Sequence, residues 1–376
     1  MTLKEELEIL RGEPIGVFDG DPMDIPCIET SDTEKLCKHP IVSVHMITYN
    51  HEPYIRQAIE GVMMQNTDFE FELVIGEDCS QDKTREICFE YQKKYPDKIR
   101  VLWWHENVSS YGGNGRRVTA HCRGEFIAFC EGDDYWIDPL KLQQQVDAMR
   151  VNSNVSLVFT DSNILDQKTK DIERWLGADC YLPGLIRGDD FFSMYSFGRD
   201  VKKGLGAEGF IMTASCMVRR SSLIQLFGKY DIFSWRLYLG DKQIWLGLAT
   251  IGDVFYIPNK TVVYRRNSGG SMSRYRQLIY RDSGIVKMYF TTKGPYNVKF
   301  PFYIIAKVLF LRADFFEDYR RKRYQKERNV ILKLLFRYDI SFIGMELSVI
   351  VRWLLFLLSG RAVVFKITKK NFFFKK

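Results

Sequence analysis

Glu125-Phe126-Ile127-Ala128-Phe129-Cys130-Glu131-Gly132-Asp133-Asp134-Tyr135-Trp136 reads as a buried strand that runs straight into a cluster of carboxylates. The apolar run has strand length and is closed by Gly132, a turn signal. Carboxylates at the tip of such a strand lie where open α/β sheets bind ligands. Adjacent Asp side chains offer hard oxygen donors, which suit Mn²⁺ or Mg²⁺ and let the ion bridge to substrate phosphates. The stretch therefore predicts an α/β sheet with a phosphate-handling, metal-assisted site at one edge.

Working outward, strands and helices alternate on both sides. Residues 41–48 form a β-branched run that ends at the turn signal Tyr49-Asn50, and helical spacing follows over 53–65. A strand is expected at 69–75, a helix at 83–95, a strand at 99–104 and a short helix at 116–122. Downstream, Asp138-Pro139 is read as the N-cap and first position of another helix, and 155–160 as a strand. Gly112-Gly113-Asn114-Gly115 is read as a mobile loop, with no Gly-Lys-Ser/Thr to make it a P-loop. The pattern loosens from about 166 to 215, an expected acceptor-side region. It resumes with helices at 221–227 and 241–250 and two short strands at 254–257 and 261–264. Alternation of this kind argues for a mostly parallel, doubly wound, Rossmann-like sheet. Residues 1–40 are expected to be a loosely packed N-terminal extension, 41–275 the catalytic domain, and 276–376 a helical, basic C-terminal region.

The formal net charge of +7 is unevenly spread: residues 301–376 carry 17 Lys and Arg against 6 Asp and Glu, so the remainder is net acidic. This basic tail is rich in Phe, Leu and Ile, which points to an anionic membrane surface. No nucleic-acid partner is expected, because the tail has no reading motif and too much apolar content for a phosphate-binding arm. Within 340–358, Glu346 and Arg352 interrupt the apolar run. Each would cost about 2.5–3.5 kcal/mol at a bilayer centre, so an in-plane amphipathic helix is expected there. Eight cysteines without a C-x-x-C pair read as free, mostly buried thiols in a reducing compartment. The first residues lack an apolar h-region, so no secretory signal is expected there.

Four stretches together resemble family 2 glycosyltransferases of the GT-A fold. They are Val42–Glu52, Gly76–Thr84, Gly124–Phe129 and Glu131–Trp136, in order and within about residues 40–270. The resemblance implies an inverting, metal-dependent enzyme of hexosyltransferase type, moving a sugar from a UDP-sugar to a hydroxyl acceptor. It implies that Thr48, Tyr49, Asn50 and Glu52 line the nucleotide pocket. Asp78 would accept the uracil N–H, Asp133 would face the ribose or the sugar, and Asp134 would coordinate Mn²⁺ or Mg²⁺ through the diphosphate. Apart from the resemblance, Arg117, next to the Gly112–Gly115 loop, is expected as a phosphate contact. The general base is expected in Gly240-Asp241-Lys242-Gln243-Ile244-Trp245, at Asp241. Gly-Asp before an apolar helix is also an ordinary capping arrangement.

Two departures from the family pattern stand out. Glu77-Asp78 replaces an Asp-Asp pair and keeps the second acid. Tyr264-Arg265-Arg266-Asn267-Ser268-Gly269-Gly270 has Asn where the family often has His, which makes Asn267 the candidate second metal ligand and Arg265 and Arg266 candidate clamps for the diphosphate. His45 is read as structural. No Gln-x-x-Arg-Trp motif of processive synthases occurs, so one sugar per encounter is expected. The tail would bring the enzyme to the cytoplasmic face of the plasma membrane as a peripheral protein. Its acceptor there would be a glycan, or a lipid-linked or cell-surface polysaccharide intermediate. The alternatives are a non-catalytic nucleotide-binding, membrane-associated module, and a sugar nucleotidyltransferase. The latter calls for glycines after the first strand, where this chain has Thr48-Tyr49-Asn50-His51-Glu52.

Overall fold

The structure, a computed structural model, describes residues 26–108, 113–174, 181–191, 211–229, 241–266 and 268. Asn267, Cys180, most of the 1–40 extension and the whole of 276–376, including 340–358, lie outside the described residues.

The centre is a parallel ladder. Strand β2 (Val42–Thr48) pairs with β3 (Phe71–Glu77) on one side and β5 (Phe126–Phe129) on the other, and β3 pairs with β4 (Ile99–Trp103). β2 is buried except at Ile47, and β3 and β5 are buried throughout. Buried strands of parallel sheets tend to read as continuous apolar runs; β5 does, whereas β2 and β3 also bury Ser43, His45, Glu72 and Glu77. Helices α1 (Ile55–Met63), α2 (Thr84–Lys94) and α3 (Gly113–His121) make the crossovers. α1 packs so closely on β6 (Tyr135–Trp136) that a Cβ on Gly61 would lie 2.9 Å from the Trp136 backbone.

Beyond β5 the sheet changes character. After α4 (Lys141–Val151) comes β7 (Val155–Asp166), far longer than the stretch the sequence marks. β10 (Cys216–Arg219) lies between β5 and β7, antiparallel to both. β11 (Asp253–Arg266) is parallel to β7 and closes the row by pairing antiparallel with β6. With β1 (Ile28–Thr30) at one edge, the strand order is β1-β4-β3-β2-β5-β10-β7-β11-β6. Two short strands, β8 (Ile172–Arg174) and β9 (Gly184–Ile186), pair with β7 and β11 within the loosely patterned region. The sheet is thus mixed, although β4, β3, β2, β5, β7 and β11 all point one way. Helices α5 (Arg220–Lys229) and α6 (Asp241–Leu248) follow β10.

Several expectations need correcting. Residues 28–30 of the N-terminal extension form β1 (Ile28–Thr30), an antiparallel edge strand on β4. Arg100 on β4 holds it with two guanidinium bonds to Glu29, at 2.8 and 2.9 Å. Gly113-Asn114-Gly115 is not a loop but the start of α3. The Asn114 side chain donates to the Gly76 carbonyl at 3.0 Å, and a Cβ on Gly76 would lie 2.1 Å from Asn114 Oδ1. The two short strands at 254–264 are one, β11, whose register slips around Ile257–Val262 instead of breaking. Asp138 does not cap α4 directly. It accepts the Leu140 N–H at 2.9 Å in the turn that leads into the helix at Lys141.

The seven described cysteines are free thiols. Cys88, Cys122, Cys130 and Cys216 are buried, and burial pushes each thiol's pKa up. No helix among the described residues is long and apolar enough to cross a membrane. His45 is buried against Phe129, bonds the Gly115 carbonyl at 3.0 Å through Nε2, and has its pKa lowered by burial.

Candidate active site

Because β2, β3 and β5 are parallel, their C-terminal ends share one edge. That edge collects Thr48, Asp78 and the 131–134 cluster. β10 runs the other way, so its beginning lies at the same edge: Met217 faces Ala128, which sets the turn before β10 beside the end of β5. That turn, Thr213–Ser215, carries a residue that faces α6.

The acidic stretch is tightly seated. The Gly132 N–H bonds the Ile47 carbonyl at 2.9 Å. A Cβ on Gly132 would lie 2.6 Å from Thr48 Oγ1 and 3.0 Å from His51 Nδ1, so only glycine allows this approach. Asp134 is 2% exposed, and its Oδ1 accepts the Arg265 N–H at 2.8 Å. Burial raises its pKa well above the ordinary carboxylate value, and the charges of Asp133 and Glu131 raise it further. Glu131 is pushed up to about 8, first by burial and then by Asp133 and Asp241. Its Oε2 is buried without a hydrogen-bond partner. Asp133 Oδ2 accepts the Ser268 hydroxyl at 2.7 Å. Tyr264 is pushed up to about 12 by burial and by all four acids, Asp134, Asp133, Glu131 and Asp241. His51 has its pKa lowered by burial, which outweighs the opposing charges of Asp133 and Asp82.

Asp241, the first residue of α6, accepts a hydrogen bond from the Thr213 hydroxyl at its Oδ2. The structure therefore brings Asp133, Asp134 and Asp241 into one electrostatic neighbourhood, together with Glu131. Among the described residues, no three His, Cys, Asp or Glu side chains gather closely enough to hold a metal ion by themselves. A crowd of hard oxygens with an orphaned buried Glu131 oxygen still fits a divalent cation. Such ions commonly take one or two carboxylates and fill the rest of their shell with water and phosphate.

The nucleotide-side residues lie across the adjoining loops. Thr48 ends β2, with its hydroxyl 3.2 Å from His51 Nδ1. Tyr49 is 39% exposed. Asn50 has φ 54°, a conformation Asn tolerates better than most residues. Its Oδ1 accepts the Gln81 N–H at 2.8 Å, and its own N–H bonds the Ser80 hydroxyl. Glu52 Oε2 accepts the Lys83 N–H at 3.2 Å, so the β2 and β3 loops are stitched together. Asp78 is fully buried, and its Oδ1 accepts the Val108 N–H at 2.8 Å. Its neighbour Glu77 is bound to Arg85 and to the Ser80 N–H.

Three arginines depart from expectation. Arg117 is buried over the Trp104 ring and hydrogen-bonds Cys27. Positions 114, 117 and 118 share one helix face, and the contact of α3 with Gly76 turns that face inward. Arg265 is built in too: it bonds the Asp133 carbonyl and Gln57 and lies between the Tyr54 and Tyr135 rings. Arg266 pairs with Asp166 at 3.0 Å and with Glu173 at 2.9 Å. The guanidiniums of Arg265 and Arg266 brace the acidic stretch and β7–β8 instead of standing open to clamp a diphosphate. Sequence reasoning assigned no role to Glu131, Thr213 or Tyr264. Glu131 was visible as a third acid in the same motif, whereas nothing in Met-Thr-Ala-Ser-Cys marks Thr213.

The profile of the family described as Glycosyl transferase family 2 matches residues 43–227. Residues 43–227, just under half of the chain, are a glycosyl transferase family 2 domain. An uncharacterised protein of Mycobacterium tuberculosis is 32% identical over 231 residues, 61% of this chain and 60% of that protein. A family 2-like stretch of 131 residues is 33% identical to an Escherichia coli enzyme named UDP-Glc:α-D-GlcNAc-diphosphoundecaprenol β-1,3-glucosyltransferase, covering 34% of this chain and 48% of that enzyme. The chain thus spans 60% and 48% of the length of these relatives, under two thirds in both. Among solved structures, Staphylococcus aureus TarS 1–349 in complex with UDP superposes with a TM-score of 0.54 at 15% identity, covering 85% of this chain and 87% of that one. At that identity the likeness speaks for the fold, and the fold is GT-A.

Proposed function

We propose that this protein transfers a sugar from a UDP-sugar to a hydroxyl acceptor by a single inverting displacement. The observation that carries the reading is the meeting of Glu131, Asp133 and Asp134 with Asp241 at the C-terminal edge of the parallel strands. Asp241 takes the proton as the acceptor oxygen bonds to the anomeric carbon, while the bond from that carbon to the diphosphate oxygen breaks and UDP departs. A placed carboxylate contributes about 10²–10⁴-fold in such a step. Asp134, with Asn267 as a candidate further ligand, would hold Mn²⁺ or Mg²⁺, which would supply charge compensation for the leaving group when bound. Asp133 faces the ribose or sugar. Asp78 reads the base, with Thr48, Tyr49, Asn50 and Glu52 shaping the pocket around it.

The name of the E. coli relative states a UDP-sugar donor and a diphosphoundecaprenol-linked acceptor. Together with the basic, apolar 301–376 tail, this supports a lipid-linked or cell-surface polysaccharide intermediate as acceptor, met at the inner face of the plasma membrane. A panel of nucleotide sugars with Mn²⁺ tests the reading by UDP release and by calorimetric UDP binding. Asp241→Asn is expected to lose turnover and keep UDP affinity, and Asp134→Ala to lose both. Turnover retained in Asp241→Asn overturns the assignment of the base. Absence of UDP binding with any metal overturns the donor class.

A further inference from the structure

The geometry points to Thr213 as a positioning residue that aims the Asp241 carboxylate. This inference rests on Asp241 acting as the base. The Thr213 hydroxyl donates to Asp241 Oδ2 and is also a hydrogen-bonding neighbour of Glu131. A hydroxyl has one proton to give and two lone pairs. Thr213 therefore sits at the point where the acidic stretch and the start of α6 meet, and its single proton goes to Asp241. The bond fixes the rotation of the carboxylate, and an ionised carboxylate with about four acceptor positions keeps capacity for a substrate proton.

The surroundings of Thr213 make the placement rigid. Its turn is closed by the Ser215 N–H and the Ser215 hydroxyl, which bond the Met212 carbonyl at 2.9 and 2.7 Å. Ala214 and Ser215 are fully buried. The Trp136 indole N–H reaches the Ala214 carbonyl at 2.9 Å, and Gln145 Nε2 reaches the Ser215 carbonyl at 2.8 Å. Lys141 in turn donates to Gln145 Oε1 at 2.6 Å and lies 4.2 Å over the Trp136 ring. Trp136 is two residues past Asp134. The stretch that bears the acids thus also pins the turn that orients the base, so the two halves of the site keep one geometry. Supporting residues of this kind hold a reactive group within the narrow range it needs.

The test uses the full chain with Thr213→Val, which keeps the shape and removes the hydroxyl, and Thr213→Ser, which restores it. Turnover of the best UDP-sugar and acceptor is read alongside UDP affinity and melting temperature. Loss of a hydrogen bond to a charged group predicts a kcat about ten- to a hundredfold lower in Thr213→Val. KM for the donor and UDP affinity stay within twofold, and Thr213→Ser recovers most of the rate. Wild-type kcat in Thr213→Val overturns the inference while a dead Asp241→Asn leaves the base reading intact. An equal fall in UDP affinity, or a Ser variant as slow as Val, also overturns it, because either result marks a role in folding or packing. Full turnover in Asp241→Asn removes the base reading itself.

Discussion

Lys141 offers the sharpest physical test of this structure, because it is a fully buried amine beside the acidic stretch. Burial pulls its pKa from the 10.5 usual for lysine down to about 7, against the opposing pull of Cys130, Cys216 and Asp138. Between those two values the unfolded chain holds a proton that the folded chain does not. Stability therefore rises with pH through the window from about 7 to about 10.5, and below about 7 the penalty is full. At about 1.4 kcal/mol per pH unit the span is on the order of 5 kcal/mol. Lys141→Met keeps the bulk, removes the charge and leaves Gln145 Oε1 without this donor, which costs about 1–3 kcal/mol. The variant should therefore be more stable than wild type by roughly 2–4 kcal/mol at pH 6, and less stable by about 1–3 kcal/mol near pH 10.5. Urea unfolding of both proteins at pH 6, 8 and 10.5 measures this, and taking the difference cancels groups that titrate alike in both. A difference that does not change with pH would refute the reasoning, because Lys141 would then titrate as an exposed lysine does.

Glu131→Gln should act in opposite directions on the free and metal-loaded protein. The Glu131 pKa is raised to about 8, so the stability it gives is present at low pH and is lost as pH rises from about 4.5 to about 8. The Gln variant should unfold at higher urea than wild type at pH 8.5 without metal, yet gain less from Mn²⁺; equal gains would remove Glu131 from the ion's surroundings. Trp136→Phe should lower stability by about 1–3 kcal/mol, since the buried Ala214 carbonyl loses its donor. An unchanged denaturation midpoint would show that water replaces the indole. Gly132→Ala should cost about 1–3 kcal/mol through contact with Thr48 and His51 and weaken UDP binding; unaltered UDP affinity would mean that the Thr48 loop yields without consequence. The full chain should sediment with anionic vesicles, less so in high salt and less again when Lys366, Lys369, Lys370, Lys375 and Lys376 become Gln. Salt-independent sedimentation would rule out charge as the attraction.

The sequence by itself determined the elements whose signal is local. The run 126–129 is a strand buried over its whole length, and 42–48 is buried at all but Ile47, so both leave a strong local signature of apolar and β-branched residues. The acids 131–134 are legible for the same reason: they interrupt such a run at a fixed offset. Tertiary structure decided whatever depends on partners far along the chain. β10 carries nothing that announces its reversed direction, yet that reversal delivers Thr213 to Asp241, 28 residues away. β6 is two residues long and exists only because Val262 and Val263 lie across from it. Arg117 and Arg265 look in sequence like phosphate ligands. Only folding shows that Trp104 takes the first, and that Tyr54, Tyr135 and Gln57 take the second, because a long side chain can meet its partner anywhere along the chain.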